Sequence, residues 1–265
     1  MVENSVLIPQ RNAAGEVRDL LPGLCGVMQR LGAPYEIVVI DDGSTRANQQ
    51  ALAVLLRHFP PLRLLQIAQP AGTSVALSAG IAAARGARLL ALEAGRRYAV
   101  EQIPELLRGL VQADLVVGRR IRGGWAKAWH RLLRIPRWLL LGLEVRDPGC
   151  LFWAARREAL EGMELSRGMY RYLSTLVAAR GWRAMEIGVT GCGGRATTFD
   201  SWPNPGDLLF AWWLKRRLRV VTVQEITAQG GVAPALPAGR LDAAHAGPNP
   251  RATRSVLLRD VPSSP

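Results

Sequence analysis

The architecture of this chain follows from one segment, Tyr35-Glu36-Ile37-Val38-Val39-Ile40-Asp41-Asp42-Gly43-Ser44-Thr45. Its apolar centre is rich in β-branched residues and is followed by an acidic, glycine-containing turn, which predicts a strand buried on both faces. Open parallel α/β sheets bind ligands outside the carboxyl ends of their strands, so Asp41 and Asp42 are placed for a ligand. Asp-Gly-Ser is also ordinary turn chemistry, and the loop alone leaves both interpretations open.

Strand-like and helix-like patterns alternate around this segment. Strands are predicted over 5–8, 35–41, 62–68, 89–93, 114–118, 151–155 and 184–189, and helices over 17–31, 48–59, 74–84, 103–111 and 169–179. Such alternation predicts a doubly wound α/β domain with a mostly parallel sheet. The turn after the first strand lacks Gly-x-Gly-x-x-Gly, which argues against a dinucleotide-binding fold of the usual kind.

Composition limits the class of protein and its partners. The chain has 265 residues, 49% of them hydrophobic, which suits one large α/β domain. Its net charge of +13 indicates an anionic partner, either a phosphorylated ligand, an acidic membrane surface or nucleic acid. The three cysteines are far apart, so we expect no disulfide framework or zinc site and a reduced, cytoplasmic protein. We expect no signal peptide, and only peripheral contact with a membrane, because no apolar run approaches the ~20 residues needed to span one.

Two segments combine cations with aromatic residues. The first, 118–143, interleaves Arg and Lys with Trp and Leu and contains no acid, and the second is 207–219. This composition favours a peripheral, anionic membrane interface, although a solvated basic face over a Trp and Leu core is the alternative. After about residue 230 the chain is rich in Ala, Pro and Gly, so we expect a domain over 1–228 and a largely disordered tail over 229–265.

Several segments, taken in order over roughly residues 5–190, resemble the family 2 glycosyltransferases. They are Val6-Leu7-Ile8-Pro9-Gln10-Arg11-Asn12, the segment 36–45 quoted above, Gly72-Thr73-Ser74-Val75-Ala76-Leu77-Ser78-Ala79-Gly80, Glu101-Gln102-Ile103-Pro104-Glu105-Leu106-Leu107 and Arg146-Asp147-Pro148-Gly149-Cys150. The ordered set is more specific than any one member. It most resembles the branch that makes dolichyl- or undecaprenyl-phosphate sugars. The resemblance implies a three-layer nucleotide-sugar transferase domain of the GT-A type.

The resemblance also implies roles for individual residues on the donor side. Pro9, Asn12, Asp41 and Asp42 would line the pocket for the nucleotide of a UDP- or GDP-sugar. A carboxylate there would accept hydrogen bonds from the base or the ribose, since an ionised carboxylate is a strong acceptor.

On the acceptor side, the resemblance implies that Arg119 and Arg120 meet the phosphate of a polyprenyl phosphate or another lipid-linked acceptor. Asp147 would be the catalytic residue that orients or deprotonates the incoming oxygen. Without the resemblance, Asp-Pro-Gly would be a turn.

The chain departs from the family pattern where the family has Asp-x-Asp, whose carboxylates hold the ribose and a Mg²⁺ or Mn²⁺ ion. Glu93-Ala94-Gly95 stands there, so Glu93 is the one remaining metal-ligand candidate. The other departures are Ala13 in place of an acid, Leu151 and Trp153 in place of Gly and Arg, and the uncharged segment 191–194 in place of His-Arg-Pro-Arg.

Two hypotheses follow from these matches and departures. In the first, the protein is an inverting transferase, and Arg96 and Arg97 stabilise the leaving diphosphate without a metal, because guanidinium groups bind phosphate oxygens bidentately. In the second, the fold is retained without catalysis, and the chain is a binding or partner subunit. A nucleic-acid binder ranks last, because no helix-turn-helix, RNP or zinc-finger signature is present.

Overall fold

The computed structural model describes residues 1–97, 100–120, 150–165, 168–190, 193–194, 219–221 and 256–258. The strands in these ranges are β1 (Asn4–Gln10), β2 (Tyr35–Asp42), β3 (Leu62–Ile67), β4 (Arg88–Ala91), β5 (Arg96–Arg97), β6 (Leu115–Arg120), β7 (Trp153–Arg156), β8 (Ala184–Val189), β9 (Gly193–Gly194), β10 (Arg219–Val221) and β11 (Val256–Leu258). Each strand predicted from the sequence is present, and no strand end moves by more than two residues.

The helices separate the strands as the periodicity predicts. They are α1 (Ala14–Arg30), α2 (Arg46–His58), α3 (Thr73–Ala83), α4 (Ile103–Gly109), α5 (Arg157–Leu160) and α6 (Leu173–Ala179). The single helix predicted over 169–179 is wrong in its first turn, because Met169–Tyr172 is a 3₁₀ helix that leads into α6. Such tighter turns are frequent at helix ends, and apolar spacing does not distinguish them from α-helix.

Seven strands form one sheet in the order β3-β2-β1-β4-β7-β6-β8. Neighbouring pairs are parallel except at β7, which runs antiparallel to both β4 and β6. This confirms the mostly parallel sheet. The carboxyl ends of β1, β2, β4 and β6 therefore lie on one edge, together with the amino end of β7. In the sheet, β2 lies on one side of β1 and β4 on the other, so the strand order reverses at β1. The carboxyl end of β1 therefore borders a topological switch point.

Helices cover both faces of the sheet and make it the middle of three layers. Residues 37–40 of β2 are no more than 1% exposed, as expected for a strand buried on both sides. On one face, α3 approaches β1 and β2 so closely that a Cβ on Gly80 would lie 2.9 Å from Ile40 Cδ1. On the other face, α1 buries Val17, Leu21 and Leu24 in the same core.

A buried carboxylate joins the segments at the amino edge of the sheet. Glu36 Oε1 accepts hydrogen bonds from Ser5 Oγ and from the Arg85 amide, both at 2.6 Å, and Oε2 accepts one from Arg63 Nη1 at 2.6 Å. Burial by itself raises the pKa of Glu36, but the hydrogen bonds from Ser5, Arg63 and Arg85 and the Arg63 charge outweigh it and lower the pKa below the ordinary value. Glu36 thus links β1, β2, β3 and the turn after α3.

Several expectations concern residues that the structure does not describe. Residues 121–143 of the first basic and aromatic segment and 207–218 of the second lie outside the described ranges, as does most of the expected tail. In the described part of the tail, β11 pairs antiparallel with β10. None of the helices formed by described residues is both long and apolar enough to cross a membrane. The domain boundary at 228 stays a prediction.

Candidate active site

The candidate site lies at the carboxyl edge of the sheet, where β2, β1 and β4 end side by side. Gln10 ends β1, Asp41 and Asp42 end β2, and Glu93 follows β4. The first three side chains are 0% exposed and Glu93 is 1% exposed. Because adjacent strands are about 4.8 Å apart, about 10 Å separates the ends of β2 and β4. Buried polar groups at a switch point make this edge the candidate ligand site.

Asp41 is held on one of its two carboxylate oxygens. Its Oδ1 accepts a hydrogen bond from Gln10 Nε2 at 2.5 Å and another from the hydroxyl of Ser44. Its Oδ2 is buried and has no hydrogen-bond partner among the described residues. A buried carboxylate oxygen is costly unless something donates to it, so Oδ2 is the acceptor that this edge offers to a ligand.

Gln10 positions Asp41, and the sequence analysis missed it as a site residue. Gln10 and Asp41 are register partners on adjacent strands, so their side chains lie on the same face of the sheet. The Gln10 Oε1 atom accepts from the Ala13 amide at 2.9 Å and from Asn48 Nδ2 at 3.4 Å. A polar amide at the end of an otherwise apolar strand was the signal that could have identified it.

Asp42 serves a different purpose from Asp41, although the two are adjacent in sequence. Successive residues of a strand point to opposite faces, and Asp42 lies on the α3 face. Its Oδ1 accepts from the Ala71 amide at 2.7 Å and its Oδ2 from the Gly72 amide at 3.0 Å. Both oxygens of Asp42 therefore already hold the loop that leads into α3.

Pro9 and Asn12 lie beside Gln10. Pro9 is buried within β1, opposite Ile40. Asn12 is exposed and has a φ of 54°, a left-handed conformation that asparagine tolerates better than most residues. The Asn12 amide donates to Ser44 Oγ at 2.8 Å, and Asn12 Oδ1 accepts from the Thr45 amide at 2.9 Å. Asn12 thus joins the loop after β1 to the loop after β2.

Glu93 is the only acid of the segment that corresponds to the family's Asp-x-Asp. Gly95 stands at the position of the second acid and has no side chain that could bind a metal. Within the described residues, no three His, Cys, Asp or Glu side chains are grouped so that they could hold a metal ion. A divalent cation takes six or more oxygen ligands, so a single protein carboxylate would leave most of them to a bound diphosphate and to water.

The chain after Glu93 forms β5, whose Arg96–Arg97 backbone pairs antiparallel with Gly193–Gly194 of β9. The two short strands bring together segments far apart in sequence. One carries the two arginines of the first hypothesis, and the other lies in the uncharged segment 191–194. The sequence analysis did not predict this pairing.

The predicted acceptor side maps to the same edge only in part. Arg119 and Arg120 end β6, whose carboxyl end lies on the ligand edge, and Arg119 is half-buried. Residues 150–152, which lead into β7 at this edge, are buried. Asp147 lies outside the described residues, so its predicted role as the catalytic residue stays a prediction.

A buried carboxylate at the switch point of a three-layer, mostly parallel sheet is the arrangement expected of a ligand-binding α/β domain. The chain belongs to glycosyl transferase family 2, whose model matches residues 5–163. This confirms the family that the motifs indicate.

Two similar curated proteins act on lipid-linked phosphates by name. The chain is 26% identical over 198 residues to a dolichol-phosphate mannosyltransferase of Pyrococcus furiosus. This match covers 70% of the chain and 55% of the relative. It is 28% identical over 190 residues to an undecaprenyl-phosphate 4-deoxy-4-formamido-L-arabinose transferase of Pseudomonas aeruginosa, covering 70% and 56%. The chain therefore spans about half the length of these relatives.

Two solved structures share the fold at low sequence identity. A mannosyltransferase from Pyrobaculum calidifontis in complex with GDP-Man and Mn²⁺ is 19% identical, with a TM-score of 0.56, covering 81% of this chain and 61% of that one. Glucosyl-3-phosphoglycerate synthase from Mycobacterium tuberculosis, in complex with Mn²⁺, UDP and glucosyl-3-phosphoglycerate, is 19% identical, with a TM-score of 0.55, covering 82% and 77%. Both confirm the GT-A fold.

Proposed function

We propose that this protein transfers a sugar from a nucleotide-diphosphate sugar to a lipid-linked phosphate, such as a polyprenyl phosphate, with inversion at the anomeric carbon. The observation that carries the proposal is the buried Oδ2 of Asp41, which has no hydrogen-bond partner among the described residues and lies at the switch point of a family 2 domain. A nucleotide donating to that oxygen would satisfy it. The names of the curated relatives support the acceptor class.

The donor would lie along the edge from β2 to β4. Pro9, Asn12 and Asp41 would surround the nucleoside, and Asp42 would support it by holding the loop before α3. The diphosphate would extend toward Glu93, at the end of β4. Arg96 and Arg97, on the strand that follows, would stabilise the charge that the leaving diphosphate acquires.

The acceptor would approach from the β6 side. One phosphate oxygen would attack the anomeric carbon while the bond from that carbon to the diphosphate oxygen breaks, releasing a nucleoside diphosphate. A phosphate monoester is largely ionised at neutral pH, so its oxygen is already a nucleophile. Arg119 and Arg120 would bind this phosphate, and Asp147 would orient it rather than remove a proton.

A metal is not needed for any step of this scheme. The two similar solved structures contain Mn²⁺, and a divalent ion is expected for the family. In this chain, Glu93 and Gly95 offer one carboxylate where the family has two, which favours arginine in place of a cation. Activity that disappears in EDTA and returns with Mn²⁺ would refute this part of the proposal.

We further propose that the protein works as a peripheral protein at the cytoplasmic face of a membrane. The net charge of +13 supports this, since anionic lipids attract basic surfaces. We expect the protein to co-sediment with anionic vesicles but not with neutral ones, and a vesicle sedimentation assay measures this. Equal recovery with both would contradict it.

Calorimetric titration with UDP, GDP and their common sugar conjugates, each with Mn²⁺ and again with EDTA, tests the donor site. We expect binding by the wild type and a loss of at least about tenfold in affinity for Asp41→Asn, which removes a buried acceptor. Asp19→Asn is the matched control, because Asp19 is exposed on α1. No binding by the wild type, or equal loss in both variants, would contradict the proposal.

The alternative is a binding or partner subunit without turnover, which Gly95 in place of the second acid of Asp-x-Asp favours. The two proposals differ only in whether the chain catalyses sugar transfer. Incubation of the purified chain with a nucleotide sugar and a polyprenyl phosphate separates the two, because any sugar transfer eliminates the alternative. Nucleotide binding without transfer, across both UDP- and GDP-sugars, would support it.

A further inference from the structure

We infer that Gln10 and Ser44 make this site selective for a uracil-type base over guanine. The inference rests on the proposed function, because it concerns the nucleotide that would bind at Asp41. It assigns a base to the donor and a specificity role to Gln10.

The argument begins with the capacity of the Asp41 carboxylate. An ionised carboxyl group has two oxygens, each of which accepts about two hydrogen bonds. Oδ1 already accepts two, from Gln10 Nε2 and from the Ser44 hydroxyl. Its capacity is used, and a ligand can donate only to Oδ2, which has no partner in the described part of the chain.

The donors on Oδ1 are fixed in orientation by their own neighbours. The Ala13 amide and Asn48 Nδ2 both donate to Gln10 Oε1, so the amide nitrogen of Gln10 must face Asp41. The Ser44 oxygen accepts from the Asn12 amide at 2.8 Å, which directs the Ser44 proton toward Asp41. Neither donor can turn away without breaking another hydrogen bond.

The two bases differ in what they present to such a carboxylate. Guanine presents two adjacent donors, its ring N–H and its amino group, and pairs best with both oxygens of one carboxylate. Uracil presents a single ring N–H. With only Oδ2 available, the single ring N–H of uracil has a well-aligned acceptor. The two parallel N–H groups of guanine must share that one oxygen in bent geometry, which weakens both hydrogen bonds and lowers affinity by about tenfold or more.

Calorimetric titration of the full-length wild type with UDP and with GDP, both in EDTA, tests the inference without any variant. We expect UDP to bind at least about tenfold more tightly than GDP. Equal affinity, or tighter binding of GDP, would overturn the inference and leave the proposed function intact. Failure of both nucleotides and their sugar conjugates to bind would overturn the proposed function, and this inference with it.

Two variants test the role of the Oδ1 donors. Gln10→Met keeps the side-chain length and removes the amide donor, and Ser44→Ala removes the hydroxyl donor. We expect each to reduce the ratio of the GDP and UDP dissociation constants, because Oδ1 becomes available for a second donor. Gln112→Met, the same change at an exposed position, is the control and should leave the ratio unchanged.

Thermal unfolding of each variant is measured alongside the titrations, so that a change in ratio is taken only from folded protein. The ratio is insensitive to a uniform loss of affinity, which a merely structural role for Gln10 would produce. An unchanged ratio in both folded variants would overturn the specificity role.

Discussion

Replacing Glu36 by Gln isolates the contribution of the buried carboxylate at the amino edge of the sheet. The carboxylate accepts on both oxygens, whereas an amide keeps one acceptor and gains an N–H donor. If the amide oxygen stays with Ser5 and Arg85, the amide nitrogen faces Arg63 Nη1, a donor at 2.6 Å in the wild type. The variant therefore loses one charge-assisted hydrogen bond and sets two donors against each other.

The magnitude follows from the exposure of the pair. Breaking a fully buried ion pair costs about 3–5 kcal/mol, and a hydrogen bond to a charged group contributes about 1.5–3 kcal/mol. The Arg63 side chain is 29% exposed and that of Glu36 is 5% exposed, so solvent partly compensates Arg63. We expect Glu36→Gln to lower the free energy of unfolding by about 2 kcal/mol, and Tm by about 4–8 °C for a domain of this size.

The pH dependence of this difference has a definite sign. The pKa of Glu36 is lowered in the folded protein from the ordinary value of 4.5, so the folded state favours the ionised form. The stabilisation is complete above pH 4.5 and is lost as the pH falls through the lowered pKa. Glu36→Gln cannot ionise, so the difference between it and the wild type must shrink below pH 4.5.

Urea unfolding of the full chain, followed by far-UV circular dichroism from pH 7 to pH 3.5, measures both quantities. Asp19→Asn is the control, since the Arg18–Asp19 pair is exposed and such pairs contribute at most about 1 kcal/mol. A Glu36→Gln difference below about 0.5 kcal/mol at pH 7 would refute the reasoning, as would a difference that does not change with pH.

Three further predictions concern the two ends of β2 and the glycine that follows it. Asp42→Asn, which removes one acceptor for the Ala71 and Gly72 amides, should lower Tm yet weaken UDP binding less than Asp41→Asn does; calorimetry and thermal unfolding compare the two, and equal losses of affinity would contradict the division of roles. Gly43→Ala should destabilise the fold by at least about 1 kcal/mol, because Gly43 has a φ of +64° and a Cβ would lie 2.6 Å from Pro70 N; an unchanged urea midpoint would be inconsistent with this geometry. Burial raises the pKa of Tyr35 to about 12 from an ordinary value of 10.0, so its neutral phenol stabilises the fold below pH 10 and less as the pH rises toward 12. Alkaline unfolding should therefore be less steep for Tyr35→Phe than for the wild type, and identical curves would exclude this effect.

Apolar periodicity was sufficient for most of the strands and helices. The segment predicted over 184–189 is observed as Ala184–Val189, and the strand predicted over 62–68 as Leu62–Ile67. Local patterns succeed here because burial of alternate or successive side chains is repeated along each element. Patterns carry no information on strand direction, and so β7 was predicted as a strand without the antiparallel orientation that it has.

The sequence predicted where the candidate site lies, but not how its side chains are arranged. An acidic turn after a buried strand located Asp41 and Asp42 at a ligand edge, and the structure confirms that both end β2 there. The sequence assigned them the same role. Their separation onto opposite faces, and the occupation of both Asp42 oxygens by the Ala71 and Gly72 amides, became visible only with the loops in place.

By itself, the sequence determined the alternating α/β elements and the family, and it predicted a ligand edge, because each element and each motif consists of residues that are close along the chain. Only the tertiary structure decided that Gln10 would occupy one oxygen of Asp41, and that β5 would pair with β9. These contacts join residues about thirty to about one hundred positions apart. Such partners depend on strand register and on the closure of several loops at once, which packing of the whole domain sets and no local pattern encodes.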